Sequence, residues 1–461
     1  MQPTTPTVRT MARETGALVL LFGIACIPAI GQAIALSILI VMLFGRPDRT
    51  FKSLVAGTTV TLITVTSARI FIGGGLLLVA PKWILLFAAC ARSLVADGKP
   101  TKIYGRLIKY WGLLAGVLVI NALFVSAVPS ISGFKAISFS LGLLCVIRLA
   151  MLTADRNAEM LLFMSEMGTA VVILSTPLLP LEVGYAALGG GYFNGIFYHP
   201  QALGVFLVLT GAASFAAAFK MPRLQRELIA CGLAQWSMIY FTRCRTALLA
   251  IILGGIVYII EVLFRGGKSS RIRFVSASTI SLAVTGFLLA AMLFPIIKEG
   301  IATFVRKGNV QAINSTEDWM VALSMGSRGG QIINDLDIID EHPLLGYGFG
   351  VEPGSESNMD TNSVLLWGIP LSAPIEQGFL PLATVAQIGV VGSLVILPFL
   401  ISMYRSARRS SAEDAAFFVA VLGVNFGEMI FFSFGSMGGL VWVMLVFLTV
   451  SGSMSGRIPE G

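Results

Sequence analysis

Apolar stretches long enough to cross a bilayer recur along most of the chain, separated by short polar turns. The first, residues 16–45, would make a helix of roughly 45 Å at 1.5 Å per residue, too long for a hydrocarbon core of about 30 Å. Ile27-Pro28 and Gly31-Gln32 interrupt it, so two shorter helices are predicted. Further apolar segments cover about 53–70, 72–97, 108–128, 132–153, 159–178, 201–220, 226–242, 245–264 and 275–297. One long polar interruption follows, and then 379–402, 415–434 and 436–452. The pattern predicts an all-α polytopic integral membrane protein with 12–14 transmembrane helices, the count depending on how the first four segments divide.

The interruption, residues 298–378, carries eleven acidic residues (of 24 in the chain) against four basic ones: Lys298, Arg306, Lys307 and Arg328. Polar groups this dense are costly in hydrocarbon, so the stretch is expected outside the bilayer as one large, partly helical loop. The chain then reads as an N-terminal transmembrane bundle (1–297), the loop (298–378) and C-terminal transmembrane helices (379–461), together one integrated domain. Within the loop, Ser315-Thr316-Glu317-Asp318 resembles a capping box leading into a short helix, Trp319–Met325. Residues 329–341 set Ile332, Ile333, Leu336 and Ile339 at helical spacing, an amphipathic face expected to lie on the bundle. Pro343 ends that helix, and Gly346, Gly348 and Gly350 permit turns that a side chain would obstruct.

Composition agrees with the pattern. Of 461 residues 56% are apolar and only 12% charged, with a mean hydropathy of +0.85, which excludes an ordinary soluble domain with its usual ~25% charge. A cleavable leader is not expected, because Ala25–Phe44 stays apolar past any signal core. The net charge of +8 sits in short loops between spans and not in a basic stripe, so it is an orientation signal with no nucleic acid implied. The groups Arg46/Arg49/Lys52, Lys99/Lys102/Arg106, Lys220/Arg223/Arg226, Arg265/Lys268/Arg271/Arg273 and Arg405/Arg408/Arg409 are expected to be cytoplasmic, and with them both termini. The large loop, the Arg243–Arg245 turn and the turn at His199 then share the extracytoplasmic side. The five cysteines fall in or beside apolar segments, which argues against a disulfide framework.

Several residues carry candidate chemistry. Arg243 and Arg245, one residue apart on a tight turn, read either as interfacial arginines snorkelling to headgroups or as a clamp for an anion such as phosphate. Arg328 among Gly326, Gly329 and Gly330 has room for a large anion, or pairs with Asp335 or Glu317. His342 before Pro343 either terminates a helix or serves as a base; His199 stands at a predicted helix start. Two distant histidines without a cysteine cluster give no metal site. Asp335 and Asp337, about 200° apart on a helix, cannot share a metal and are expected on a solvated face. Glu376, beside Phe379-Leu380 at the bilayer boundary, is either an interfacial polar residue or a partly desolvated proton acceptor. Arg69, Arg148, Glu166 and Glu428 within apolar segments need partners.

Taken together, these pieces resemble the O-antigen ligase / O-antigen polymerase superfamily of bacterial envelope glycosyltransferases. The resemblance runs from Gly195-Ile-Phe-Tyr-His199-Pro-Gln-Ala-Leu-Gly204 through Thr242-Arg-Cys-Arg-Thr-Ala-Leu-Leu-Ala250 and Ser327-Arg328. It continues with His342-Pro-Leu-Leu-Gly-Tyr-Gly-Phe-Gly350 and Glu376-Gln-Gly-Phe-Leu to Gln387-Ile-Gly389-Val-Val-Gly392, covering about 195–395. It implies a GT-C-like fold in the bacterial cytoplasmic (inner) membrane, with loop 298–378 periplasmic. The implied activity is a metal-independent, cofactor-free transfer of a glycan from undecaprenyl pyrophosphate to an acceptor hydroxyl on a glycan or lipid. Arg245 and Arg328, with Arg243 behind them, would hold the pyrophosphate. The family's base is a histidine before a Gly-x-x-Gly helix; here the closest position is Glu376-Gln377, so either Glu376 or His342 takes that part. Repeat-unit polymerisation ranks first, ligation to lipid A–core or a protein second, with a chain-length regulator and a flippase as implied partners. The rival of another class is a transporter for an anionic solute.

Overall fold

The computed structural model describes residues 6–27, 30–63, 75–96, 102–185, 191–264, 329–351, 365–366, 369–370, 379–427, 430–434 and 437–454. Fourteen helices are used below: α1 (Val8–Ala25), α2 (Gly31–Met42), α3 (Pro47–Val60), α4 (Gly75–Val95), α5 (Lys102–Phe124), α6 (Pro129–Leu152) and α7 (Asn157–Ser175). They continue as α8 (Pro200–Lys220), α9 (Gln225–Thr242), α10 (Arg245–Phe264), α11 (Gly329–Glu341), α12 (Leu380–Ser410), α13 (Ala412–Gly423) and α14 (Met437–Met454). A two-residue antiparallel ladder, β1 (Leu365–Leu366) with β2 (Ile369–Pro370), lies against α6.

Apart from that ladder, the regular structure among the described residues is helical, and six of the helices are long and apolar enough to cross a membrane. These are Ile103–Phe124, Pro129–Leu152, Ala154–Leu178, Pro200–Lys220, Arg245–Phe264 and Leu380–Ser410; Gly31–Met42 and Met437–Val450 are apolar but shorter. The predicted break in 16–45 is present, since α1 stops at Ala25 and α2 starts at Gly31. A Cβ on Gly31 would collide with the Ile24 carbonyl, so only glycine lets the chain fold back this tightly. The span expected over 415–434 is shorter than predicted. α13 ends at Gly423, passes into a 3-10 turn (Val424–Phe426), and at about 18 Å cannot cross a ~30 Å core alone. The chain after it is fixed by side chains, as where Trp442 Nε1 donates to the Phe431 carbonyl at 2.8 Å.

α8 forms the middle of the bundle: its apolar stretch is 83% buried, against 22% for α10 on the outside. Small residues bring helices close. Gly211 receives the Trp236 ring, Gly204 receives Cys244, and Gly254 and Gly423 bring α10 and α13 together in antiparallel fashion. This is the packing expected where lipid tails supply no competing hydrophobic drive. A polar seam joins α7, α8 and α9: Ser214 Oγ donates to Ser165 Oγ at 2.7 Å, and Gln235 Nε2 reaches the Ser165 carbonyl at 3.1 Å. Arg148, a charge inside an apolar segment, finds its partner in the carbonyl of Ala96 at 2.8 Å. Glu166, 1% exposed, faces Glu14, whose carboxylate lies 2.5 Å from Lys52 Nζ. Arg69 and Glu428 lie outside the described residues.

The bundle has two unlike ends. Lys52–Glu14, Arg156–Asp48 (3.3 Å), Lys220–Asp414 (2.7 Å) and Arg408–Glu261 (2.7 Å) gather at one. The chain's first helix starts there and α14 finishes there, where Thr449 meets Ser406 and Phe447 meets Asn157. At the other end lie the start of α8, the α9–α10 turn, the α5–α6 turn and the start of α12.

Candidate functional site

The α9–α10 turn is built to be sharp. Thr242 Oγ1 donates to the Ile239 carbonyl at 2.8 Å and accepts the Cys244 N–H at 3.2 Å. Arg243 between them is left-handed (φ 49°, ψ 34°), the one non-glycine described residue with positive φ and a conformation that costs on the order of 1–3 kcal/mol. Buried Cys244 pins the turn to the start of α8, with Sγ 3.9 Å from the Gln201 carbonyl. Its two neighbours stay half-exposed. The Arg243 guanidinium sits over the Tyr192 ring at 5.3 Å, and Arg245 is the first residue of α10. His199 caps α8, its Nδ1 accepting the Gln201 N–H at 3.2 Å, so the predicted helix start is where the sequence places it.

From Arg245 the site extends to α12. Gly427 accommodates Thr246 so closely that a Cβ would clash with its Oγ1, and the neighbouring Phe426 stacks on Phe379 at 5.6 Å. The starts of α8, α10 and α12 therefore cluster at this end, and none carries an acidic residue in its first turn. Each helix start contributes about +0.5 of an elementary charge and unsatisfied amides, which adds to the two arginines in favouring an anion.

The His342–Gly350 run is an inserted wedge. α12 is interrupted at Gly389 (φ 66°, ψ −176°), so amides and carbonyls on either side lose their helical partners. The loop segment replaces them one for one. Val390 and Val391 N–H donate to the Pro343 and Leu344 carbonyls at 3.0 and 3.2 Å, while Tyr347 and Gly348 N–H donate to the Ala386 and Gln387 carbonyls at 2.8 and 3.1 Å. A backbone break at membrane depth is tolerable only when those groups are satisfied inside the protein. A Cβ on Gly389 would strike the Leu344 carbonyl, and one on Gly346 would strike Gln387, so both glycines are required by the close approach. Phe349 anchors the wedge, fully buried against Phe432 and Phe139 at 5.1 and 6.1 Å.

Three side chains hold this segment. Asn121 Nδ2 donates to the Leu345 carbonyl and its Oδ1 accepts the Phe349 N–H, both at 2.7 Å. Gln387 Oε1 accepts the Gly350 N–H at 2.9 Å, and Lys135 Nζ donates to the Gly350 carbonyl at 2.6 Å. In the sequence, the one signal for Asn121 and Lys135 is an amide and an ammonium within otherwise apolar segments. His342 itself is exposed. It closes α11 by donating its N–H to the Ile338 carbonyl at 2.8 Å, and its ring lies 5.9 Å from that of Tyr347.

Two expectations for α11 need correction. Its buried positions are Asp335 and Ile338, whereas Ile333 and Leu336 are half-exposed, so the inward face is rotated by about one residue, ~100°, from the predicted one. Asp335 is thus not on a solvated face, although Asp337, on the other side, is exposed. Packing against α12 decides the face, and Asp335 is not without an interaction partner, as a buried carboxylate requires. Arg328 and Glu376 lie outside the described residues, as do Glu317 and the expected helix 319–325. Comparison of the chain with models of known protein families gives no match, and searches of curated proteins and of solved structures also return no significant match.

Proposed function

We propose that the protein is an integral-membrane glycosyltransferase of the bacterial cytoplasmic membrane, moving a glycan from undecaprenyl pyrophosphate to an acceptor hydroxyl. The observation that carries this is the cationic end. Arg243 and Arg245 lie on a strained turn that is packed onto the start of α8 and linked through Phe426 and Phe379 to the start of α12. Departure of a lipid pyrophosphate builds negative charge, which preorganised guanidinium groups and helix starts stabilise. In this reading Arg245 and Arg328 hold the diphosphate, assisted by Arg243, and Glu376 or His342 removes the acceptor's proton. The ion-paired end is cytoplasmic and the arginine turn faces outward. Polymerisation of repeat units is the preferred reaction, and ligation to lipid A–core or a protein comes second.

Replacement of Arg245 or Arg328 by Ala in the producing bacterium tests this. Lipid-linked glycan should accumulate at normal protein level while transfer falls by about 10²–10³. Polysaccharide of unchanged amount and length from both variants would refute the reading. A deletion strain distinguishes the acceptor, free single repeats indicating a polymerase and full-length unattached chains a ligase.

A further inference from the structure

At the ion-paired end a cavity of about 400 Å³ opens between α5 and α12. Its lining on α12 is Pro398, Ile401, Ser402, Arg405 and Arg409, of which Pro398, Ile401, Arg405 and Arg409 are spaced three and four residues apart and therefore lie on one stripe of the helix, with Ser402 beside it. α5 contributes Arg106 and Tyr110, again one turn apart. Tyr110 stacks on buried Phe399 at 5.6 Å, closing the inner end. On both helices the apolar or aromatic groups lie deeper and the arginines lie at the helix end. From Pro398 to Arg409 this spans about 16 Å.

The charges here differ from their neighbour. Arg408, on the adjacent stripe, spends its charge on buried Glu261 at 2.7 Å. Arg106, Arg405 and Arg409 make no ion pair or hydrogen bond with any described residue. Three exposed guanidinium groups around one cavity repel each other unless an anion joins them. The cavity lies between two membrane-crossing helices, of which α5 is mostly exposed along its length. An occupant must therefore present a phosphate at the helix ends and hydrocarbon below it.

We infer that this cavity is a binding site for an anionic glycerophospholipid of the adjacent leaflet, its phosphate held by Arg106, Arg405 and Arg409 and its acyl chains lying along Pro398 and Ile401. The lipid would seal the groove between α5 and α12 and, through α12, brace the helix that carries the Gly389 break. Basic pockets between transmembrane helices are suited to such headgroups, and guanidinium fits phosphate better than ammonium does. This inference does not depend on the proposed activity.

The test uses purified full-length protein in detergent, with phosphatidylglycerol, phosphatidylcholine and inorganic phosphate as probes and native mass spectrometry as readout. Wild-type protein should retain phosphatidylglycerol over phosphatidylcholine. The Arg405→Gln/Arg409→Gln variant should lose that retention by on the order of tenfold. Arg226→Gln, which removes one charge from the same end outside the cavity, should leave it unchanged. Both sets replace exposed side chains, and melting temperature without added lipid confirms that the variants are folded. Equal retention by wild type and double variant overturns the site, as does an equal loss in Arg226→Gln. Displacement of the lipid by inorganic phosphate at comparable concentration would show a soluble-anion site and overturn the lipid assignment.

Discussion

The two ends of this bundle solve the same problem, closing helix termini at a membrane boundary, by different means. At one end charges neutralise one another: Lys220 with Asp414, Arg408 with Glu261, Arg156 with Asp48, Lys52 with Glu14. At the other, backbone amides and carbonyls do the work, with the 343–351 segment threaded into the gap in α12 and the α9–α10 turn held by Thr242 and Cys244. Salt bridges give the first end its rigidity, whereas at the second the closure rests on peptide groups, and the half-exposed Arg243 and Arg245 flank the buried Cys244 that pins the turn.

Substitutions at the two ends should separate these designs. Lys220→Met should be the more damaging, because Asp414 is 2% exposed and would be left without its cation; a loss of about 3–5 kcal/mol is expected for a buried partner stranded in this way. Denaturant titration of the detergent-solubilised protein reads it, and Asp414→Asn in the same background should recover part of the loss. At the opposite end Gly389→Ala should cost about 2–4 kcal/mol, from left-handed strain together with the collision on the Leu344 carbonyl. It should also raise proteolytic sensitivity between His342 and Val351 while leaving the ion-paired end protected. Uniform loss of protection would mean that the wedge is not a local closure.

Much of this architecture is legible in the apolar pattern. The helix over 245–264 is found as predicted, and those over 201–220 and 226–242 begin one residue early, because each is bounded by proline, a polar cap or an arginine turn. The break in α12 is not legible. Gly389 within an apolar span signals only reduced helix propensity, whereas the groups that replace its hydrogen bonds lie some 45 residues earlier in sequence. The shortened α13 escapes for a related reason: the sequence after Gly423 is apolar enough to continue a helix, but Thr246 packs on Gly427 and Trp442 holds the Phe431 carbonyl outside any helix. On the site, the pattern correctly associates His199 with the Arg243–Arg245 turn by topology. It misses Asn121 and Lys135, which act on backbone atoms more than 200 residues away.

The central claim is that the arginine turn, and not the ion-paired end, receives the diphosphate of a polyprenyl-linked glycan. Binding of undecaprenyl pyrophosphate to purified protein tests it most directly, with Arg245→Ala compared against Arg405→Gln/Arg409→Gln. The account predicts that affinity falls about tenfold or more in the first variant and stays near wild type in the second. Undiminished binding by Arg245→Ala, or a loss confined to the Arg405/Arg409 variant, would contradict it.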